Sequence, residues 1–370
     1  MPQPDHIKVI LSGGGTGGHI FPAIAIANAI KAKVPGAEFL FVGAKGRMEM
    51  EKVPASGYAI EGLWISGFQR RLTLGNLSFP FKVISSLIKA RRIIKRFRPD
   101  LVIGTGGYAS GPTLRAAASM GIPTLIQEQN SFPGITNKLL AKKVQAICVA
   151  YEGMDKFFPS SKIHLTGNPI RQDIVNYSGG KTEALNAFSL KEGSVTLLVV
   201  GGSLGARTLN KSIHAGIEAF AANHIQLIWQ TGKSFAPFAG EVVKPFEGKG
   251  IVTTSFIGRM DQAYAAADIV ISRSGAIAIS ELSAVGKPVI LVPSPNVTED
   301  HQTKNTLALT SRNAAIMVSD ADAPLKLVDA VIELAKNKSR QLELRKNILQ
   351  MAHPNAAEDI AGEALKLIRR

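Results

Sequence analysis

A short apolar run that ends in a cluster of glycines and passes straight into a helix is the strongest constraint in this chain, and it occurs twice. Ile7-Lys8-Val9-Ile10-Leu11 reads as a strand, and Gly13 to Gly18 form the turn after it. Apolar positions from Ile20 to Ile30 follow with helical spacing, and Pro35-Gly36 stops them. In the second half Val195 to Val200 is a strand, apolar but for Thr196, and Gly201-Gly202-Ser203-Leu204-Gly205 is its turn. Leu209, Ile213, Ile217 and Phe220 then mark one face of a helix. Further strand-like runs stand at 38–42, 100–103, 124–126 and 146–149, and again at 225–229, 251–254, 268–272 and 288–292. Short apolar runs that alternate with helices dictate parallel sheets, because the crossover helices must cover both faces. The expected fold is therefore α/β, with two Rossmann-like, doubly wound parallel-sheet domains. Their expected bounds are 1–168 and 169–355, since Gly167-Asn168-Pro169 opens a polar, weakly periodic stretch. The last segment, 356–370, carries Ile360, Ala361, Ala364, Leu365 and Ile368 on one face, and that helix is expected to pack back on the first domain.

At 370 residues, 45% hydrophobic and 19% charged, the chain has the length for two domains and the apolar content for their cores. Its single cysteine, Cys148, excludes an intramolecular disulfide and a cysteine-rich zinc site. Its setting in Ala146-Ile147-Cys148-Val149-Ala150 predicts a packed, inert thiol. There is no apolar run of about 18 residues, and Met1-Pro2-Gln3-Pro4-Asp5 lacks the pattern of a secretory signal. A cytoplasmic protein is expected. The net charge is +15, and nine cations fall between Glu61 and Asp100 with no acid among them. Such a segment suits phosphates, of nucleic acid or of anionic lipid.

Gly13-Gly14-Gly15-Thr16-Gly17-Gly18-His19 satisfies the Gly-x-Gly-x-x-Gly pattern, which by itself says little. Glycines let the backbone approach a ligand, and the helix start that follows favours an anion. A dinucleotide fold also wants a carboxylate at the end of the second strand to hold a ribose. Here that strand ends Phe41-Val42-Gly43-Ala44-Lys45, with Glu38 at its beginning, so a nicotinamide reading loses its support. Gly232-Lys233-Ser234 resembles the end of a phosphate-loop motif, but Leu227 stands where its leading glycine is required. His19 is either a helix-start residue bonded to a neighbour or a general base for an attacking hydroxyl. Gly106-Gly107-Tyr108-Ala109-Ser110-Gly111-Pro112 is a second glycine turn, and Glu128-Gln129-Asn130 follows the next strand. Ligands of open parallel sheets bind beyond the carboxyl ends of the strands, so these three loops should share one crevice. In the second half Gly201-Gly202-Ser203 can cradle phosphate, and Arg273-Ser274-Gly275-Ala276 opens another helix. Glu281, about two turns on, is either a solvated helix residue or a partner for ribose hydroxyls. His301-Gln302 with Asn305 is a polar helix start without a metal-ligand partner.

Six motifs in order resemble the MurG family, the N-acetylglucosaminyl transferases of peptidoglycan synthesis, over essentially the whole chain. They are Gly14 to Pro22, Gly106 to Pro112, Glu128-Gln129-Asn130, Gly201 to Ala206, Arg273 to Ala276, and His301-Gln302 with Asn305. The resemblance implies a GT-B architecture, two Rossmann-like domains facing a cleft. The C-terminal domain would take UDP-N-acetylglucosamine and the N-terminal one lipid I, an undecaprenyl-diphospho-muramyl pentapeptide. The product would be lipid II, made with inversion and a β-1,4 link. On the donor side it implies Glu281 for the ribose and the Ile257 backbone for the uracil. Ser203, Arg171 and the turn Ala276, Ile277, Ala278, Ile279, Ser280 fall to the diphosphate, and Gln302 and Asn130 to the sugar. Thr16, Gly17 and Gly18 would face the donor sugar and the acceptor diphosphate. Gly106, Gly107, Tyr108 and Ser110 would lie on the acceptor side. His19 leads as base, with Glu128 as a second catalytic candidate. Many members carry histidine where this chain has Gln127, and a glutamine is no base at neutral pH. Helix N-termini and loop amides can meet the charge of the departing diphosphate, so neither metal nor cofactor is expected.

The resemblance also gives the basic segment, 65–98, a use. Leu72, Leu74, Leu77, Phe79, Phe81, Val83 and Ile84 lie between Arg70-Arg71 and Arg91-Arg92. A hydrophobic surface flanked by cations suits anionic lipid, and the plainer alternative is a core helix with a solvated basic face. The expected place is peripheral, on the cytoplasmic face of the inner membrane, with a cell-wall or division complex as a further partner and no nucleic acid. Three other readings share parts of the pattern: a UDP-sugar 2-epimerase of the same architecture, a nucleic-acid binder, and an NAD oxidoreductase.

Overall fold

A computed structural model describes residues 6–67, 79–201 and 206–368. The chain divides into two compact units, 1–170 with 354–370, and 171–353. The first unit runs β1 (Lys8–Gly13), α1 (Gly17–Lys33), β2 (Glu38–Ala44), α2 (Glu49–Ala55), β3 (Ala59–Leu63), α3 (Phe79–Phe97), β4 (Leu101–Gly106), α4 (Ser110–Ser119), β5 (Thr124–Glu128), α5 (Ile135–Leu140), β6 (Ala146–Val149) and β7 (Ile163–Leu165). The second runs α6 (Gln172–Val175), α7 (Lys181–Ala187), β8 (Val195–Val200), α8 (Arg207–Ala222), β9 (Ile225–Gln230), α9 (Ala236–Val243), β10 (Ile251–Thr254), α10 (Met260–Ala266), β11 (Ile269–Ser272), α11 (Ala276–Val285), β12 (Val289–Leu291), α12 (His301–Thr310), β13 (Ile316–Met317), α13 (Ala323–Lys336) and α14 (Lys338–Leu349). The last helix, α15 (Ala356–Ile368), returns to the first unit.

Both sheets are wholly parallel and share one plan, β3-β2-β1-β4-β5-β6-β7 in the first unit and β10-β9-β8-β11-β12-β13 in the second. Each chain path starts at the middle, runs out to one edge, and jumps back across its starting strand. The jump leaves β1 beside β4 and β8 beside β11, and it is beyond the carboxyl ends of the strands at such switch points that open parallel sheets bind their ligands.

Alternation along β1 explains why its sheet is covered twice. Val9 and Leu11 enter one core with α1 and α15, while Ile10 enters the other with Ile93, Ile94 and Leu114 of α3 and α4. Ile360, Ala361, Ala364 and Leu365 of α15 are buried with Ile26 and Ile30 of α1. Burial of Ile360 and of Leu365 stabilises by roughly 1.5–3 kcal/mol each. In the second unit Leu209, Ile213, Ile217 and Phe220 of α8 share a core with Leu197, Val199 and Val331. Cys148 is buried, and burial pushes its thiol up to about 12, which leaves it inert at neutral pH. Three strands escaped the sequence pattern, β3, β7 and β13. All three lie at sheet edges and are only partly buried, so none carries a continuous apolar run.

Candidate active site

In the first unit the glycine turns after β1 and β4 meet backbone to backbone. Gly107 has a φ of 84°, and a Cβ on it would stand 2.3 Å from the Gly14 carbonyl oxygen. Gly106 has a φ of 101°, and its Cβ would stand 2.9 Å from Cε1 of His19. Both positions are closed to any other residue by conformation and by space. Gly106 is therefore a buttress for the imidazole. Thr16 is the extended N-cap residue of α1, and its side chain makes no capping bond. Among the described residues the amides of Thr16, Gly17 and Gly18 have no acceptor, while His19 N donates to Thr16 O at 3.1 Å. These are the open donors of a helix start, aimed where an anion is favoured.

His19 is oriented by a chain of amides. Its Nδ1 lies 2.9 Å from Oε1 of Gln129. Gln129 Nε2 donates to the Thr105 carbonyl at 2.8 Å and to the Gln127 carbonyl at 3.0 Å, which turns its oxygen to the ring. An amide oxygen only accepts, so Nδ1 carries the ring proton and Nε2 keeps its lone pair. Gln127 is buried and donates to Asn168 Oδ1 at 2.8 Å, and Asn168 donates to the Gln129 carbonyl at 3.0 Å. The glutamine at 127 thus belongs to the frame behind the histidine. Sequence reasoning missed Gln129 as the orienting group.

Two expectations for this unit need correction. Ser110 is fully buried, with its hydroxyl against Gly104 beneath the turn, where a Cβ would come within 2.5 Å of it. It cannot reach an acceptor. Glu128 is also buried, and both its oxygens are occupied. Oε1 accepts from the backbone and side-chain nitrogens of Asn130 at 3.0 and 3.1 Å, and Oε2 from Gly134 N at 3.1 Å and Asn137 Nδ2 at 2.8 Å. Four donors make it the anchor of the 130–134 loop and leave no lone pair for proton transfer. Tyr108 is exposed, and its ring lies over Gly67. The carboxylate absent from the end of β2 is supplied from further along the chain by Glu49, which sequence reasoning also missed. Glu49 bonds Gly15 N and Ala44 N, is fully buried, and is not available to a ribose.

In the second unit α11 begins after β11, with Gly275 as its extended N-cap residue. The first helical bond closes from Ile279 N to Gly275 O at 2.9 Å, so the amides of Ala276, Ile277 and Ala278 are the open ones. Ile279 offers a diphosphate nothing, since its side chain is in the core and its amide is used. Ser280 Oγ donates to the Ala276 carbonyl at 3.1 Å. Glu281 is not a solvated helix residue, being only 7% exposed. Arg171 grips it from Nε at 3.0 Å and Nη2 at 3.4 Å, and the Tyr264 hydroxyl approaches at 3.4 Å. Burial pushes the Glu281 carboxyl above its ordinary range, and the Arg171 ion pair pulls against that shift without cancelling it.

Gln302 ties two loops, its Oε1 accepting from Ser274 N at 3.2 Å and Ser294 N at 2.8 Å. With its oxygen spent, Gln302 has its amide nitrogen to offer a ligand. The Ile257 amide donates to Gln230 Oε1 at 2.9 Å, so a uracil edge would meet the Ile257 carbonyl unless Gln230 gives way. Ser203 lies outside the described residues. Asp320-Ala321-Asp322 is an Asp-x-Asp pair that the metal-free expectation passed over. Its carboxylates are engaged within the protein, Asp320 by Arg273 at 2.6 Å and by Thr208 at 2.9 Å, Asp322 by Ser319 at 2.8 Å and by Lys326 at 3.2 Å.

Two parallel-sheet units with the same switch in strand order match known proteins along their full length. The glycosyltransferase family 28 N-terminal domain matches residues 9–149, and the family 28 C-terminal domain matches 196–360. A protein of Cytophaga hutchinsonii named UDP-N-acetylglucosamine–N-acetylmuramyl-(pentapeptide) pyrophosphoryl-undecaprenol N-acetylglucosamine transferase is 57% identical, over 100% of this chain and 99% of its own. The crystal structure of MurG from Acinetobacter baumannii superposes with a TM-score of 0.79 at 26% identity, covering 97% of this chain and 99% of its own. A UDP-GlcNAc 2-epimerase from Neisseria meningitidis reaches a TM-score of 0.65 at 14% identity, covering 98% of this chain and 100% of its own, a likeness of fold alone. The chain belongs to glycosyltransferase family 28 and, within it, to the MurG family of N-acetylglucosamine transferases.

Proposed function

We propose that this protein transfers N-acetylglucosamine from UDP-N-acetylglucosamine to the 4-hydroxyl of lipid I, with inversion at the anomeric carbon, to give lipid II. The observation that carries this reading is the end-to-end identity of 57% with a relative of that named activity. The first unit takes the acceptor, its diphosphate met by the open amides of Thr16, Gly17 and Gly18. His19 Nε2 accepts the proton of the attacking hydroxyl, and the oxygen so activated displaces UDP from the anomeric carbon. The second unit takes the donor. Ribose hydroxyls donate to Glu281, the α11 amides of Ala276, Ile277 and Ala278 face the diphosphate, and Gln302 contacts the sugar. Arg171 holds the Glu281 carboxylate at 3.0 Å in the free chain. An incoming ribose competes for those lone pairs, and the released guanidinium is a natural partner for the diphosphate.

The test is incubation with UDP-N-acetylglucosamine and a lipid I analogue, following UDP release and the disaccharide product. Product should form undiminished in EDTA. Release of an epimer from donor alone would instead favour the epimerase reading.

Among the described residues no helix is long and apolar enough to cross a membrane. The reading of membrane docking rests on a surface of α3. Phe81, 70% exposed, lies with Ile84 and Ile88 along α3, and Lys89, Arg92 and Arg96 line the same groove of about 640 Å³. The apolar stretch Leu72, Leu74 and Leu77, with Arg70 and Arg71, lies outside the described residues. We place this face against anionic lipid on the cytoplasmic side of the inner membrane. Liposomes containing phosphatidylglycerol should float with the protein at low salt, and Phe81→Glu with Ile88→Glu should cut the bound fraction by roughly tenfold or more. Equal flotation with neutral liposomes would sink the electrostatic part.

A further inference from the structure

Glu49 is a carboxylate sealed from water, 0% exposed at the first position of α2. Its Oε2 accepts from Gly15 N at 2.9 Å and its Oε1 from Ala44 N at 3.0 Å. Among the described residues no cation pairs with it. Two glycines are shaped around its side chain. A Cβ on Gly14 would stand 2.1 Å from Oε1, and one on Gly43 would stand 2.5 Å from Cγ. Neither glycine has a positive φ, so it is this side chain, and not the backbone conformation, that excludes a larger residue at Gly43. Burying an acid without a counter-charge is costly. The two amides that repay it lie at the carboxyl ends of neighbouring strands, one in the first glycine turn beside the switch point and one at the end of β2.

We propose that Glu49 is a positioning residue for the transfer reaction. By drawing the Gly15 amide inward it sets the course of the first glycine turn, so that the next three amides, of Thr16, Gly17 and Gly18, are the ones presented to the acceptor diphosphate. Glu49 touches no substrate and acts through the turn. The inference rests on the acceptor reading given above. Glutamine has the same shape but only one oxygen, so one of the two converging amides would face an NH2 group instead of an acceptor. Aspartate is a methylene too short to reach both.

The full-length protein and Glu49→Gln are compared with UDP-N-acetylglucosamine and a lipid I analogue on a short prenyl chain. The variant should show an acceptor KM raised roughly tenfold or more, with donor KM and UDP affinity within about twofold of the parent. Equal losses through both substrates, or no loss at all in a folded variant, would overturn the proposal, because a merely structural carboxylate predicts no such split. Amide exchange in the unaltered protein gives a reading independent of turnover. Gly15 and Ala44 should exchange slowly in the free protein, while Thr16, Gly17 and Gly18 should slow only when the analogue is added. Fast exchange at Gly15 would overturn the proposal even if the glutamine variant did not fold. A slow Gly15 in a protein that fails to turn over lipid I would uphold the hold on the turn and move the fault to the acceptor reading.

Discussion

Replacing His19 by alanine is expected to lower turnover by about a hundred- to ten-thousandfold while leaving the donor KM almost unchanged. The size of the effect follows from how much of the surrounding structure orients this one ring. Gln129 fixes its tautomer from 2.9 Å, and the Thr105 hydroxyl donates to the His19 carbonyl at 2.8 Å. Gly106 leaves the ring its space, so Gly106→Ala should cost activity in the same direction by displacing it. The attack needs a group that accepts a proton only as the new bond forms, and Nε2 is the acceptor this network leaves open. Rapid-quench measurement of the transfer step with saturating substrates is the direct check. A His19→Ala protein that kept a tenth or more of the parent rate would place the base elsewhere.

Glu281→Ala is expected to raise the donor KM by roughly ten- to a hundredfold, the loss of charge-assisted hydrogen bonds to two hydroxyls, with a smaller change in kcat. It should also destabilise the second unit, because Arg171 and the buried Tyr264 hydroxyl lose their partner. UDP titration by calorimetry separates the two effects from turnover, and unchanged UDP affinity would remove Glu281 from the donor site. Burial sets the pH dependence. The carboxyl protonates at a higher pH than an ordinary glutamate, despite Arg171, so donor affinity should fall on acidification sooner than for an exposed acid. Stability runs the opposite way. A carboxyl whose folded-state pKa is raised favours the fold below its unfolded value, and that contribution is lost as pH rises through the folded value. Where Glu281 is ionised, its buried charge therefore costs the second unit stability, and on the reading proposed above that same charge serves the donor.

The glycine turns and apolar periods were enough to place most strands of both sheets, because a parallel strand buried on both faces must be apolar throughout. The edge strands β3, β7 and β13 obey no such rule and were not seen, while the edge strand β10 was. Within the site the same division holds residue by residue. His19 stood out as a candidate because it directly follows a glycine turn at a helix start, whereas Glu281, two turns into another helix, read equally as a solvated residue until the resemblance singled it out. Their surroundings were not legible. Ser110 sits in a motif that reads as solvent-facing, yet the tight turn after β4 tucks it under Gly104. Glu128 reads as a free acid in a polar loop, yet four donors close on it only after that loop has folded back. Glu49 carries one local hint, since it shares a helix face with buried Val53 four residues on.

The sequence by itself determined two doubly wound units, the order of their strands along the chain, and which loops gather at the strand ends. Local spacing suffices for that, because it dictates which face of each element must leave water. Only the tertiary structure decided what each polar group bonds. Gln129 reaches His19, and Arg171 reaches Glu281, each across 110 residues of chain, and Glu49 reaches Gly15 across 34. Such pairs have no period to read, and they exist only once the sheet has closed around its starting strand and brought distant loops to one edge.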